Sequence, residues 1–291
     1  GIFNLYLYFL ITDNPRKSLQ DELKQQFKDE DAQRIILDVK KFAENYNGII
    51  NNYQDKHISM LKYLHHSLYW KAILTTAKHV EYPHYAELKD LLVRYFYQSW
   101  IANGTSNRIK QSAFNILKKV KNKDNIGEIK DLIVDNLSKY SNYKEFLINN
   151  NVYWTAWLKP LLLSVEYFEH DQKDFIPISR DLQIEHILPQ EWNRADLDWN
   201  EYFDETSANK YLNSLGNLTL LSGLKNIQAS NRNFKDKHEI YKGNGGKGYD
   251  GKTGFEITKR IIDDYDVWNE ESIQARYSWI TSKIDTLIEI K

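Results

Sequence analysis

The residues best suited to chemistry lie between positions 180 and 237. Glu185 and His186 are adjacent in Ile184-Glu185-His186-Ile187-Leu188-Pro189, and Asn226 follows further along the chain. An imidazole with a pKa of about 6.5 is a competent base at neutral pH. The Glu185 carboxylate and the Asn226 amide oxygen, with waters completing the shell, are hard ligands suited to Mg²⁺ or Mn²⁺. Hydrolysis of a phosphodiester needs a base to activate water, a cation to neutralise the phosphate and leaving oxygen, and a scaffold that holds both. This segment offers all three. An adjacent acid and histidine arise often by chance, so the catalytic reading rests on their combination with Asn217, Asn226 and the apolar residues around them.

The elements that must position these groups follow from the local pattern. After Pro177, the residues Ile178, Leu182, Ile184, Ile187 and Leu188 predict a short strand that stops at Pro189. On a regular strand the side chains of Glu185 and His186 diverge, whereas at a strand end entering a loop they can flank one phosphate. Leu218-Thr219-Leu220-Leu221 predicts a second strand, and a helix is expected from about Leu224 to Tyr241. Strand, long loop, strand, helix is the order of a ββα-metal finger, here with its core at about 178–241.

With those residues in place, Glu185-His186-Ile187-Leu188-Pro189, Gly216-Asn217-Leu218-Thr219-Leu220-Leu221 and Asn226 resemble the His-Asn-Asn variant of the HNH, or His-Me finger, nucleases. The resemblance implies that Glu185 and Asn226 bind one divalent cation, that His186 is the base, and that Asn217 orients it or its loop through hydrogen bonding. Adding Gln190, Leu215, Asn231-x-x-Phe234-x-x-Lys237 and Trp268-x4-Ile273-x2-Arg276 makes residues 150–290 similar to the C-terminal nuclease domain of GmrSD-type modification-dependent restriction enzymes. More weakly, Trp100 to Val120 resembles the helical region that precedes the nuclease there. The family's N-terminal domain, a ParB-like fold implicated in nucleotide hydrolysis and sensing of modified DNA, has no counterpart motif in this sequence. The resemblance therefore implies the cutting half, whose partners are DNA, modified or not, and a ParB-like sensor domain or subunit outside this chain.

Local charge agrees with a polyanionic substrate. Residues 181–215 carry eight acids against two bases, and residues 222–260 carry nine bases against four acids, although the whole chain has a formal charge of −1. Lys225, Arg232, Lys235 and Lys237 are expected on or beside the finger helix, where they either meet backbone phosphates or form a solvated face. Asn231 either assists the metal site or makes local hydrogen bonds within the helix.

Residues 18–170 show amphipathic helical spacing throughout. Ser18 can cap a helix bearing Leu19, Leu23 and Phe27, and further helices are predicted near 57–80, 85–101, 107–121, 126–139 and 154–169. Their aromatic residues, Trp154 and Trp157 among them, are expected in the core. A final helical stretch is predicted from Phe255 to Ile290, with a break near Trp268. The fold class expected is α+β, predominantly helical, with a helical region over 1–150 and the nuclease domain over 151–291.

Other chemistries find little support. The absence of cysteine excludes a disulfide framework, a thiol nucleophile and a cysteine-based zinc knuckle. His65, His66 and His79 lie on aromatic-rich helical stretches, His84, His170 and His238 have no partner at metal-ligand spacing, and neither H-E-x-x-H nor G-x-S-x-G occurs. Gly243 to Gly254 holds six of the twelve glycines and contains a literal G-x-G-x-x-G and, over 246–253, a Walker A string. A phosphate loop needs a preceding strand, whereas Lys237 to Lys242 looks helical, so nucleotide binding stands as a second alternative. The first alternative is a catalytically silent DNA-binding or regulatory module. The apolar run Ile2 to Ile11 is about half a membrane span and lacks the features of a signal peptide, so it is read as a buried element of a cytoplasmic protein. The opening without methionine fits the C-terminal part of a longer protein as well as a processed start.

Overall fold

A computed structural model describes residues 1–65, 67–170, 174–244 and 251–290. The chain forms two compact units, residues 1–142 with 290–291, and residues 143–289.

The first unit is helical. It contains α1 (Ile2–Ile11), α2 (Leu19–Gln26), α3 (Ala32–Ile50), α4 (Lys56–Lys62), α5 (Ser67–His79), α6 (Tyr85–Ile101), α7 (Ser106–Lys121) and α8 (Ile126–Leu137). Ser18 caps α2 by accepting from the Asp21 amide, which satisfies one of the free donors of the first turn. Helix α5 is packed by α1, α3, α6 and α7. The apolar start of the chain is helical, and its Leu5, Tyr6 and Phe9 join Phe42 of α3 and Ala72 of α5 in one core cluster. At the edge of that cluster Asp38 accepts from Tyr6 Oη at 2.6 Å and pairs with His79 Nε2 at 3.0 Å. The predicted helix at 57–80 is divided into α4 and α5, and His66 lies outside the described residues.

The second unit mixes helices with one small sheet. It runs α9 (Tyr143–Leu147), α10 (Leu158–Glu169), β1 (Leu182–His186), α11 (Glu205–Tyr211), β2 (Leu218–Ser222), α12 (Gly223–Ala229), α13 (Phe234–Lys242), α14 (Glu256–Asp264) and α15 (Glu270–Ile288). The two strands are antiparallel, with Glu185 opposite Thr219 and His186 opposite Leu218. Residues 218–221 of β2 are all buried, because α10, α12 and α14 pack against this strand. Thr219 sits in that apolar surrounding by sharing a hydrogen bond with Thr258 of α14, whose hydroxyl also reaches the Leu220 carbonyl. The core includes Trp199, Phe203, Tyr241, Ile261 and Trp268, and two of its indoles, Trp199 and Trp268, are fully covered.

Two expectations change and a third holds. The helix predicted over 224–241 is two helices, because Ser230 takes φ 39°, ψ −139° and turns the chain between α12 and α13. The C-terminal helical stretch divides into α14 and α15, with Trp268 in the connection, as its pattern suggested. Helix α10 begins at Leu158, so Trp154 lies in the preceding turn and is 73% exposed, while Trp157 is buried. Among the described residues no helix is long and apolar enough to cross a membrane.

Candidate functional site

The end of β1 carries Glu185 and His186 to one wall of a cleft of about 160 Å³, also lined by Tyr153, Ile184, Pro189, Gln190, Asn226, Ser230 and Asn231. The strand ends at His186, and Ile187 and Leu188 turn away into the core at 0% exposure. That change of direction lets adjacent side chains border the same space.

Asn217 holds the turn. Its Oδ1 accepts from the Leu188 amide at 2.7 Å and from Trp268 Nε1 at 3.1 Å, and its Nδ2 donates to the carbonyls of Leu188 and Leu212. Its backbone carbonyl accepts from the Ile187 amide. Every polar atom of this fully buried amide is thus used on the loop that follows His186. Of the two expectations for Asn217, fixing the imidazole or fixing its loop, the position fits the loop. The segment carrying Asn217 is secured from behind by Arg276, whose Nη1 donates to the carbonyls of Gly216 and Leu218. Gly216 is needed there because a Cβ would come within 2.4 Å of the Ile273 carbonyl on α15.

The imidazole is oriented by a residue that sequence reading missed. His186 Nε2 lies 2.9 Å from Asn213 Oδ1. An amide oxygen only accepts, so Nε2 carries the proton and Nδ1 presents its lone pair. No hydrogen bond from the described residues reaches Nδ1. Asn213 is itself placed by its backbone, whose carbonyl accepts from the Val152 amide in an isolated bridge between residues 151 and 213. The same turn sets the Tyr153 ring 4.3 Å from the imidazole. Burial pushes the His186 pKa down to about 4, against the pull of Asn213, and Lys237 adds to the depression.

Glu185 is also enclosed. Its Oε1 accepts from Lys237 Nζ at 2.7 Å and from Tyr241 Oη at 2.9 Å, whereas no hydrogen bond among the described residues reaches Oε2. Burial pushes its carboxyl up, opposed by the Lys237 ammonium, and burial pushes Lys237 down. Lys237 also donates to the His186 carbonyl at 2.6 Å. The expectation that Lys237 meets DNA phosphate is therefore corrected: it is fully buried on the inner face of α13. The signal was in the sequence, since Phe234, Lys237, Ile240 and Tyr241 form the buried stripe of that helix.

The remaining basic residues divide. Lys225 turns its ammonium inward to the Ile240 carbonyl at 3.1 Å, where it caps the end of α13. Arg232 and Lys235 are exposed, and Arg232 Nε donates to the Gln228 carbonyl. Asn231 lines the cleft and donates from Nδ2 to Glu191 Oε2 at 2.9 Å.

The Asn226 Oδ1 atom is buried without any hydrogen-bond partner among the described residues. Leaving an amide oxygen dry and unpaired costs about 1–3 kcal/mol, so such an atom in a cleft marks a place for a donor or a cation. Glu185 and Asn226 both line this cleft, and a carboxylate with an amide oxygen is a donor set whose chemistry fits Mg²⁺ or Mn²⁺ completed by water. Among the described residues no group of three or more His, Cys, Asp or Glu is placed to hold a metal, so any cation here depends on the amide. Backbone strain lies at the same opening, where Ser230 accepts a positive φ that side chains other than glycine rarely adopt.

The glycine strings start at Gly243, which ends α13 in a left-handed conformation with φ 101°. A helix rather than a strand precedes them, and residues 245–250, which carry most of both strings, lie outside the described residues.

No curated protein matches the chain in a sequence search. Residues 137–283, just over half of the chain, match the family model of the C-terminal domain of GmrSD restriction endonucleases. The matched stretch contains the β1–β2 pair, the Asn217 staple and the whole cleft. The chain therefore belongs to the GmrSD restriction endonuclease C-terminal domain family.

Proposed function

We propose that this chain is a metal-dependent DNA endonuclease of the HNH type, the effector part of a modification-dependent restriction and anti-phage defence system. The observation that carries the reading is that one cleft is lined by His186, whose Nδ1 lone pair is free, and by Glu185 and Asn226, each with an oxygen that has no partner among the described residues. The β1–β2 pair followed by α12 has the order of a ββα-metal finger, with Asn226 on its helix.

In this account His186 Nδ1 takes a proton from the attacking water, and Nε2 keeps its own proton on Asn213. Glu185 Oε2 and Asn226 Oδ1 would hold Mg²⁺ or Mn²⁺, which when bound neutralises charge on the scissile phosphate and the leaving oxygen. Burial and the Lys237 charge hold the His186 pKa below its usual value, which keeps the imidazole neutral and able to accept a proton at physiological pH. Asn217 keeps residues 187 and 188 in place so that the ring does not drift. Of the four cations singled out on or beside the finger helix, Arg232 and Lys235 are exposed and available to backbone phosphates, which gives sequence-tolerant and salt-sensitive binding. Selection of modified DNA then belongs to a ParB-like sensor domain or subunit.

One feature favours the rival of a catalytically silent DNA clamp, namely the Lys237 ammonium already seated against Glu185. The test is relaxation of supercoiled plasmid with Mg²⁺ or Mn²⁺, with EDTA as control. The endonuclease reading expects metal-dependent nicking that is lost in His186→Ala and Asn226→Ala. DNA binding without nicking by the wild-type chain would establish the clamp instead.

A further inference from the structure

The chain has eight tryptophans, and among the described residues Trp154 is the one left exposed, at 73%. An indole buries a large apolar surface when it can, so one held in water beside a candidate site calls for an occupant. Trp154 is not on a loose segment. The turn that carries it is closed by the Thr155 amide and hydroxyl, both donating to the Val152 carbonyl at 3.0 and 2.7 Å. Val152 is buried and donates in turn to the Asn213 carbonyl.

The aromatic neighbours connect this indole to the cleft. Trp154 stands edge-to-face on Tyr153 with centroids 4.7 Å apart, and Tyr153 packs on the His186 imidazole at 4.3 Å. These separations keep the indole within about 9 Å of the imidazole. No hydrogen bond among the described residues engages the indole nitrogen.

We propose that Trp154 is a stacking platform for a DNA base next to the scissile phosphate, so that the site favours DNA in which that base is unpaired or turned out of the helix. The inference rests on the endonuclease reading and adds the form of substrate it takes. A flat aromatic face accepts any base, because every base has a π-face. In an intact duplex those faces are already covered by neighbouring pairs, so only an unstacked base can reach the indole. Tyr153 braces the platform from the side of His186, which couples the seated base to the phosphate that the imidazole addresses.

The test is fluorescence anisotropy of the full chain in EDTA with a short labelled duplex and with the same duplex carrying a small central bubble. The expected result is tighter binding of the bubble by the wild-type protein. Trp154→Ala should weaken binding of the bubble by roughly 5- to 100-fold, with the perfect duplex little changed. Trp154→Phe should keep most of the preference. An unchanged thermal midpoint in both variants shows that the fold is intact, as expected for an exposed side chain. Equal binding of the bubble by wild type and Trp154→Ala would overturn the platform, as would no preference in the wild type. The two claims fail separately. Plasmid nicking that needs His186 but coexists with an indifferent Trp154→Ala removes the platform alone, and a Trp154-dependent preference without metal-dependent nicking removes the nuclease alone.

Discussion

His186 Nε2 donates its proton to Asn213 Oδ1 across 2.9 Å, and this contact selects which ring nitrogen remains available as a base. Removing the amide in Asn213→Ala should release the imidazole to both tautomers and lower cleavage roughly 10- to 100-fold, the worth of one buried hydrogen bond on a reacting group. Nitrogen-15 shifts of the His186 ring check the cause directly. The wild type should show protonated Nε2, and the variant a mixture.

The Lys237 and Glu185 pair predicts a large stability effect, because both groups are buried and each is the other's main compensation. Lys237→Met should destabilise the protein by about 3–5 kcal/mol, the usual cost of stranding one member of a buried ion pair. Urea denaturation at neutral pH measures it. The double variant Lys237→Met with Glu185→Leu should recover much of the loss, since it removes the stranded charge as well.

The depressed pKa of His186 makes stability fall in mild acid. The unfolded chain protonates this histidine near 6.5 and the folded chain near about 4, so between those values the unfolded state binds more protons. The contribution is complete above the unfolded value and is lost as pH falls toward the folded one, about 3 kcal/mol in all. His79, depressed by burial in the first unit, acts in the same direction. Urea midpoints should therefore decline from pH 7 to pH 5, and less steeply in His186→Asn.

Gly216 tests the support behind the site. A methyl group there meets the Ile273 carbonyl, which belongs to the backbone of α15 and cannot swing aside. Gly216→Ala should cost about 1–3 kcal/mol by overpacking and shift the Asn217 staple. Chemical denaturation and the amide resonances of Ile187 and Leu188 report the two effects.

The legible parts of this protein were those written in local pattern. The strand pair and the helical runs follow from short-range spacing, whereas Glu185, His186 and Asn226 stand out by residue type together with the resemblance to the HNH nucleases. Asn213 is not legible, because its role depends on a bridge to Asn151 and on the path of the chain after α11, and neither leaves a periodic trace. Lys237 reads as a surface cation by charge alone, whereas its neighbours at helical spacing within α13, Phe234, Ile240 and Tyr241, are apolar or aromatic and mark the buried face. Trp154 reads as a core residue because it precedes a true core tryptophan by three positions, but α10 starts only at Leu158, so helical spacing does not apply to it. The break at Ser230 was hidden as well, since a serine gives no warning of a positive φ.

The central claim, that His186 is the base of a metal-dependent nuclease, is tested most directly by single-turnover cleavage of labelled DNA with Mg²⁺. The measurement compares wild type with folded His186→Ala, each with and without added imidazole. The account predicts a rate lower by roughly 10²- to 10⁴-fold in the variant, partly restored by imidazole. A folded His186→Ala protein that cleaves at the wild-type rate would contradict it.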